Sequence, residues 1–303
     1  MVVRPAIRTP GTAAQNRQAV QAVLSGHVVA APFVKWAGGK RKLMRTILSY
    51  APITFERYLE PFLGGGALAL ALGIPGMLLN DVNGDLINAY MVISEFPVAL
   101  TTELDRLKAL HSEEFYYFVR ALNPMGMTPV EQAARFIYLN KAGFNGLYRV
   151  NRAGQFNVPF GHNPNPSLYD VMVLQAVANV VAASTVSCLP YDQFLRQNAR
   201  QGDFIYLDPP YIPVSEYSDF KRYTKEQFRE DDQVRLAELY TELVQLGAYP
   251  ILSNSHTPMT LELYGQHKII EVEMTRSINS VGMGRGAISE VLVLPRSDNG
   301  IQS

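Results

Sequence analysis

Cysteine is nearly missing from this chain. Cys188 stands alone among 303 residues, which excludes an intramolecular disulfide and a cysteine-built zinc cluster and makes a reducing, cytoplasmic setting the default expectation. No apolar run approaches the roughly 18 residues that a membrane span requires. Residues 1–30 lack the compact hydrophobic core and cleavage site of a signal peptide and read instead as a mobile or weakly helical extension. Net charge is absent as well, since 27 basic and 27 acidic residues cancel. No global positive field therefore advertises a nucleic-acid partner, and any such contact needs charge concentrated locally. Internal repeats and low-complexity tracts do not stand out. Hydrophobic residues at 48% and charged residues at 18% exclude a disordered chain. The length suits one large domain or a core carrying a sizeable insertion.

Several short apolar segments end in loops rich in Gly, Pro, Asn or Asp: Arg57–Pro61, Gly76–Leu79, Thr185–Leu189, Asp203–Leu207 and Tyr249–Leu252. Helical patterns separate many of them, as from Gln227 to Leu246 with apolar Val234, Leu236, Leu239, Leu243 and Leu246. Alternating strands and helices imply an α/β fold with a mostly parallel sheet covered on both faces. Lys268–Met274 and Ser289–Leu294 flank a Gly-rich turn and read as an antiparallel hairpin at the sheet edge. Residues from about 85 to 180 break the alternation, helical first and loop-rich around Lys141–Pro166, as an inserted module would be. Polar signals gather at the carboxyl ends of the strands, where open α/β sheets bind ligands.

The segment Glu60-Pro61-Phe62-Leu63-Gly64-Gly65-Gly66-Ala67 reads as a strand, a tight glycine turn and an Ala/Leu-rich helix. Such glycines let backbone approach a ligand. Asp81 lies about 20 positions on at the next strand end, where an acidic residue can accept from ribose hydroxyls. That distance suits a dinucleotide or an adenosyl cofactor equally. Upstream, Phe33-Val34-Lys35-Trp36-Ala37-Gly38-Gly39-Lys40 holds the only tryptophan. It reads either as a surface turn before a basic helix or as a loop closing over the cofactor. In the second reading Lys40 meets the cofactor carboxylate and Trp36 an adenosyl or sulfonium group.

Asp208-Pro209-Pro210-Tyr211 follows the apolar run Phe204–Leu207. Two prolines remove two N–H donors, leave carbonyl acceptors and stiffen the chain. An exocyclic amine has two N–H donors to place. The Asp208 carboxylate and the Pro209 carbonyl can take both, and Tyr211 offers a flat face for stacking. Positive charge developing on the nitrogen then sits beside a carboxylate. A hydride-transferring dehydrogenase has no use for a donor-free acceptor cluster, so the motif selects methyl transfer to nitrogen from S-adenosyl-L-methionine, with S-adenosyl-L-homocysteine as product and no metal.

Between Gln132 and Tyr169 there is no Asp or Glu, while Arg135, Lys141, Arg149 and Arg152 lie within the stretch. Phe144, Tyr148 and Phe160 interleave with them and with Asn140, Asn145, Asn151 and Asn157. Arg and Asn suit phosphate and base-edge contacts, and an aromatic can wedge into the gap left by an extruded base. A second acid-free run, after Met274, carries Arg276 and Arg285.

These segments, in this order, resemble the DNA adenine methylase (Dam) family over roughly residues 31–296. The most distinctive are Phe33–Lys40, Glu60–Gly66, Asn80–Leu86, Phe136–Gly161, Asp208–Tyr211 and Thr275–Leu294. The resemblance implies a Rossmann-like methyltransferase sheet, residues 31–84 and 171–296, holding an inserted, mainly helical target-recognition domain at 85–170, with a tail at 297–303. It implies catalysis by Asp208, Pro209, Pro210 and Tyr211. The cofactor falls to Trp36, Lys40, Asp81 and Asp208, together with Glu60, Phe62, Gly64 and Gly66 of the glycine turn. Lys35 would reach a base near the target, Phe144 and Asn145 would probe the space left by a flipped adenine, and Leu147, Arg149 and Pro159 would read flanking bases. The implied partner is double-stranded DNA, met by a monomer in a bacterial cytoplasm, whether host-, phage- or plasmid-encoded, and the implied target is the adenine of GATC. Departures leave relaxed specificity open. Phe144 stands where tyrosine is common, His162–Pro166 lacks basic residues, and Glu290–Pro295 replaces an ending with Asn-Tyr. The alternative substrates are RNA and a protein glutamine, whose enzymes commonly place Asn before Pro-Pro-Tyr and lack the long recognition stretch. A DNA-binding module without chemistry is a further alternative, against which Asp208 and Tyr211 both stand intact.

Overall fold

Five apolar strands run parallel and end at one edge of a single sheet: β1 (Tyr58–Glu60), β2 (Leu78–Asn80), β3 (Thr185–Ser187), β4 (Phe204–Leu207) and β5 (Tyr249–Ser255). The hairpin strands β6 (Lys268–Met274) and β7 (Ile288–Leu294) complete it, in the order β3-β2-β1-β4-β5-β7-β6. β7 is antiparallel to β5 and to β6, which forms the edge. The computed structural model describes residues 9–36, 40, 42–151, 153–211, 228–274 and 288–296. Every residue of β1 and β4 is buried, as expected of parallel strands covered on both faces. The Gly-rich turn of the hairpin lies outside the described residues.

Helices α1 (Ala13–Leu24) and α2 (Met44–Ser49) precede β1, and α3 (Ala67–Leu72) follows it. Between β2 and β3 come α4 (Gly84–Glu95), α5 (Pro97–Ala109), α6 (Glu113–Ala121), α7 (Pro129–Ala142) and α8 (Val171–Ala182). The remaining helices each follow one strand: α9 (Tyr191–Asn198) after β3, α10 (Glu230–Gln245) after β4 and α11 (Pro258–Leu263) after β5. α4 packs on α7 and α8, so Leu79, Val92, Leu139 and Val177 belong to one continuous apolar core. After α7 the chain is irregular, with isolated antiparallel bridges Gly143–Phe160 and Val150–Phe156. This is the loop-rich part anticipated around Lys141–Pro166.

The segment read as a mobile or weakly helical extension holds a helix, and α1 is fastened to the body at both ends. Thr12 and Gln15 form a capping box, Val20 and Val23 are buried, and buried Asn16 donates to the carbonyls of Phe55 and Glu56 at 3.0 and 3.1 Å. Gly11 N–H meets the Pro75 carbonyl at 3.0 Å, and Val29 and Ala30 donate to Ala71 and Leu70. The strands also end differently from their apolar runs: β1 and β2 are three residues each, and β5 continues to Ser255.

β1 has β2 and β3 on one side and β4 and β5 on the other, so the strand order reverses between β1 and β4. Their register, Leu59 opposite Ile205, sets the chain leaving Glu60 beside the chain leaving Leu207. The glycine turn and Asp208–Tyr211 therefore open onto the same crevice, where α/β sheets of this topology take ligands.

Candidate active site

The glycine turn is built around two left-handed residues, Gly64 (φ 49°) and Gly66 (φ 65°). A Cβ on Gly64 would lie 2.9 Å from the indole of Trp36, and one on Gly66 2.6 Å from the Tyr90 hydroxyl. Only glycine lets the turn fold under Trp36. Asp81, at the end of β2, accepts from Gly64 N–H at 2.8 Å through Oδ2 and from Asn83 N–H at 2.9 Å through Oδ1. Burial pushes its carboxyl upward, against those hydrogen bonds. A carboxylate offers about four acceptor positions, so Asp81 keeps acceptor capacity beyond its backbone donors. A ligand with vicinal hydroxyls fits that donor-accepting edge. Phe62 meets Tyr191 at 5.1 Å and Phe228 at 5.9 Å between ring centroids, making an apolar wall beside the turn. Tyr191 and Phe228 were missed from sequence, although Tyr191 opens α9 directly after the turn that leaves β3.

Glu60 is placed differently from its neighbours in the motif. It is buried, and its Oε2 accepts both the Tyr58 hydroxyl at 2.7 Å and Ala69 N–H at 3.2 Å. Burial raises its carboxyl to about 8, so it carries a proton at neutral pH. Its contacts tie β1 to the start of α3.

Asp208 and Tyr211 form a charged cluster with Lys40 and Glu290. Lys40, 4% exposed, places Nζ 3.0 Å from Asp208 Oδ1, 3.9 Å from Glu290 Oε2 and 4.6 Å from the centre of the Tyr211 ring. The Tyr211 hydroxyl donates to Glu290 Oε2 at 2.7 Å. Burial pushes the Asp208 carboxyl up and Lys40 pulls it back, while Glu290 adds to the rise. Burial also lifts the Tyr211 phenol far above its ordinary range. Behind the motif the Pro210 carbonyl accepts from Gln233 at 2.9 Å, and Gln233 accepts from Asn254 at 3.1 Å; both side chains are buried. Lys40, read in the sequence as a partner of the cofactor carboxylate, thus lies on Asp208. Sequence reasoning missed Gln233 and Asn254 and met Glu290 only as part of a departing C-terminal segment.

The recognition stretch sorts its residues by alternation. Tyr148, Val150, Phe156, Val158 and Phe160 point into the core, while Phe144 (46% exposed), Asn145, Leu147 and Pro159 face outward. Asn145 takes φ 54°, a left-handed conformation that asparagine tolerates. Phe144 N–H donates to the Pro159 carbonyl at 2.9 Å, joining the two arms. Exposed Lys35 joins the same surface, because buried Asn140 accepts its N–H at 2.9 Å and donates to its carbonyl at 2.8 Å. Asn140 also donates to the Gly146 carbonyl at 3.0 Å. Arg149 lies across Asn157, donating to its Oδ1 at 2.8 Å and its carbonyl at 3.2 Å.

Two sequence readings are corrected here. Of the three interleaved aromatics only Phe144 is exposed; Tyr148 stacks on Trp36 at 5.5 Å and donates to Asp85 at 2.9 Å, and Phe160 is buried. Arg135 is no surface cation either. It is buried and donates to the carbonyls of Val119 and Arg120 at 3.0 and 2.8 Å, satisfying the end of α6. Arg152, Arg276 and Arg285 lie outside the described residues. Among the described residues no cluster of His, Cys, Asp and Glu is arranged to hold a metal, and no helix is long and apolar enough to cross a membrane.

Comparison with known proteins agrees with this geometry. Residues 36–278 match the family described as D12 class N6 adenine-specific DNA methyltransferase. The chain is 39% identical over 267 residues to the type II methyltransferase M1.LlaDCHI of Lactococcus lactis subsp. cremoris, covering 86% of this chain and 94% of that one. It is 36% identical to the type II methyltransferase M.MjaIII of Methanocaldococcus jannaschii, over 87% of this chain and 98% of the other. With the DNA adenine methylase of Escherichia coli K12 it shares 34% identity over 86% and 94% of the two chains. A switch-point crevice holding a glycine turn and Asp-Pro-Pro-Tyr, matched over most of its length to such enzymes, places the chain in the D12 class of N6-adenine-specific DNA methyltransferases.

Proposed function

We propose that this methyltransferase takes its methyl group from S-adenosylmethionine and places it on N6 of an adenine extruded from duplex DNA, within GATC. One observation carries the reading of the reacting site. Asp208 and the Tyr211 ring converge on a nitrogen cation, Lys40 Nζ, at 3.0 and 4.6 Å. A methylated amine becomes such a cation as the bond forms, and the same groups stabilise it.

Trp36, Phe62, Gly64 and Asp81 would hold the cofactor, which supplies an electrophilic methyl group when bound. Asp208 and the Pro209 carbonyl accept the two amine hydrogens, turning the nitrogen lone pair out of conjugation. Tyr211 stacks on the base, and Gln233 keeps the Pro210 carbonyl turned away. Extrusion costs a few kcal/mol of pairing and stacking. Phe144 and Asn145, outward on a stiff two-armed loop, would fill the gap. Lys35, Leu147, Arg149 and Pro159 share that surface and would read the flanks. The enzyme would act as a monomer in a bacterial cytoplasm, with residues 85–170 as its recognition part.

The hold of Asn157 on Arg149 supports a second reading for specificity alone: if Arg149 stays on Asn157 when DNA binds, the preference for flanking bases relaxes. Incubation with labelled S-adenosylmethionine and duplexes with or without GATC, followed by digestion to nucleosides, tests both. N6-methyladenine confined to the GATC duplex is expected. None in any duplex rejects the reaction, and equal labelling rejects the GATC assignment only.

A further inference from the structure

We propose that Glu290 is a positioning residue of the methyl-transfer site, fixing the Tyr211 ring and giving Lys40 a second carboxylate so that Asp208 can be yielded to the substrate amine. The inference rests on the methyl-transfer reading above.

Glu290 lies in β7, hydrogen-bonded on both sides, with Ser255 of β5 and Val272 of β6 as its register partners. Its backbone is therefore held between two strands, and its side chain, 14% exposed, reaches the crevice from the strand beyond β5. There its Oε2 does two things at once. It accepts the Tyr211 hydroxyl at 2.7 Å, which sets the tilt of the ring on which the base must stack. It also stands 3.9 Å from Lys40 Nζ, against 3.0 Å for Asp208 Oδ1.

That difference defines a short path. An amine donating to Asp208 competes with Lys40 for the same carboxylate. A buried ammonium that left Asp208 with no other carboxylate near would pay a heavy desolvation cost. With Glu290 beside it, Lys40 exchanges one carboxylate for the other and frees both Asp208 and the Tyr211 ring for the base. The charge balance points the same way. Two carboxylates and one ammonium leave one negative charge, suited to the positive charge that develops on the amine.

Three variants separate these roles. Glu290→Gln keeps an acceptor for Tyr211 and removes the charge, Tyr211→Phe keeps the ring and removes the anchor, and Glu290→Ala removes both. With DNA and S-adenosylmethionine pre-bound, the single-turnover rate of Glu290→Gln is expected to fall at least tenfold, with both dissociation constants and the melting temperature unchanged. A rate within twofold of wild type overturns the proposal. A readout independent of turnover is the crystal structure of unliganded Glu290→Ala beside wild type. A displaced Tyr211 ring is expected, with Lys40 still on Asp208, and a ring left in its wild-type place overturns the assignment. If wild type methylates no DNA, the enzymatic reading fails, and those two structures still decide the place of Glu290.

Discussion

Trp36 and Tyr148 stack with their ring centroids 5.5 Å apart and their planes 23° apart. One covers the glycine turn, and the other belongs to the recognition stretch, where Tyr148 also donates to Asp85. The glycine-turn crevice, proposed to take the cofactor, is thus braced by the stretch proposed to face DNA.

From this contact, Tyr148→Ala is expected to weaken S-adenosylmethionine binding although Tyr148 does not itself line the glycine turn. An aromatic pair contributes about 0.5–1.5 kcal/mol, so the dissociation constant should rise roughly two- to thirteenfold. Tyr148→Phe, which keeps the ring, should bind closer to wild type. Titration calorimetry of the two variants checks this, and an unchanged affinity in Tyr148→Ala contradicts it.

Arg135 and Arg149 should behave oppositely. Arg135→Met removes the guanidinium donor from the Val119 and Arg120 carbonyls, which costs about 1–3 kcal/mol of stability. Its salt dependence of DNA binding should match wild type, whereas loss of about one unit of slope would put Arg135 on a phosphate. Arg149→Ala should leave stability nearly intact and flatten the preference for a flanking base, by about 1–3 kcal/mol per lost contact. A library of single-base variants of the site measures it. An unaltered profile would assign Arg149 to the backbone.

Glu60 gives a pH signature. Its carboxyl rises from an ordinary 4.5 to about 8, chiefly by burial. A raised carboxyl contributes stability fully below its unfolded value and loses it as pH climbs through the folded one. Between pH 5 and 9 the wild type should therefore lose stability, on the order of a few kcal/mol from this group. Glu60→Gln, which keeps an acceptor for Tyr58 and Ala69 and cannot ionise, should flatten that slope. Urea unfolding across the range compares the two. A constant difference between them would show Glu60 to be ionised in the folded protein throughout.

Much of the sheet was legible because each parallel strand is a short apolar run ending in Asp, Asn, Pro or Gly, and chain polarity brings those ends to one edge. The glycine turn and Asp208–Tyr211 could be joined in advance by that rule alone. Three things were not legible. α1 has only three apolar residues larger than alanine, Val20, Val23 and Leu24, and the signal in its Thr12–Gln15 capping box is small beside its polar surface. Arg135 looked like a DNA contact because a cation capping a helix end and a cation facing phosphate have the same local sequence. Glu290 and Gln233 come from β7 and α10, and nothing in their own segments says which strand lies beside them; only the antiparallel return of β7 along β5 brings Glu290 to Tyr211.

On the proposed function Asp208 holds the adenine amine during methyl transfer. Quantifying N6-methyladenine in a single turnover by Asp208→Ala decides this, with DNA and cofactor dissociation constants measured on the same preparation. Methylation is expected to be abolished while DNA binding is retained and cofactor binding survives at least in part. Methylation at a near-normal rate would contradict it.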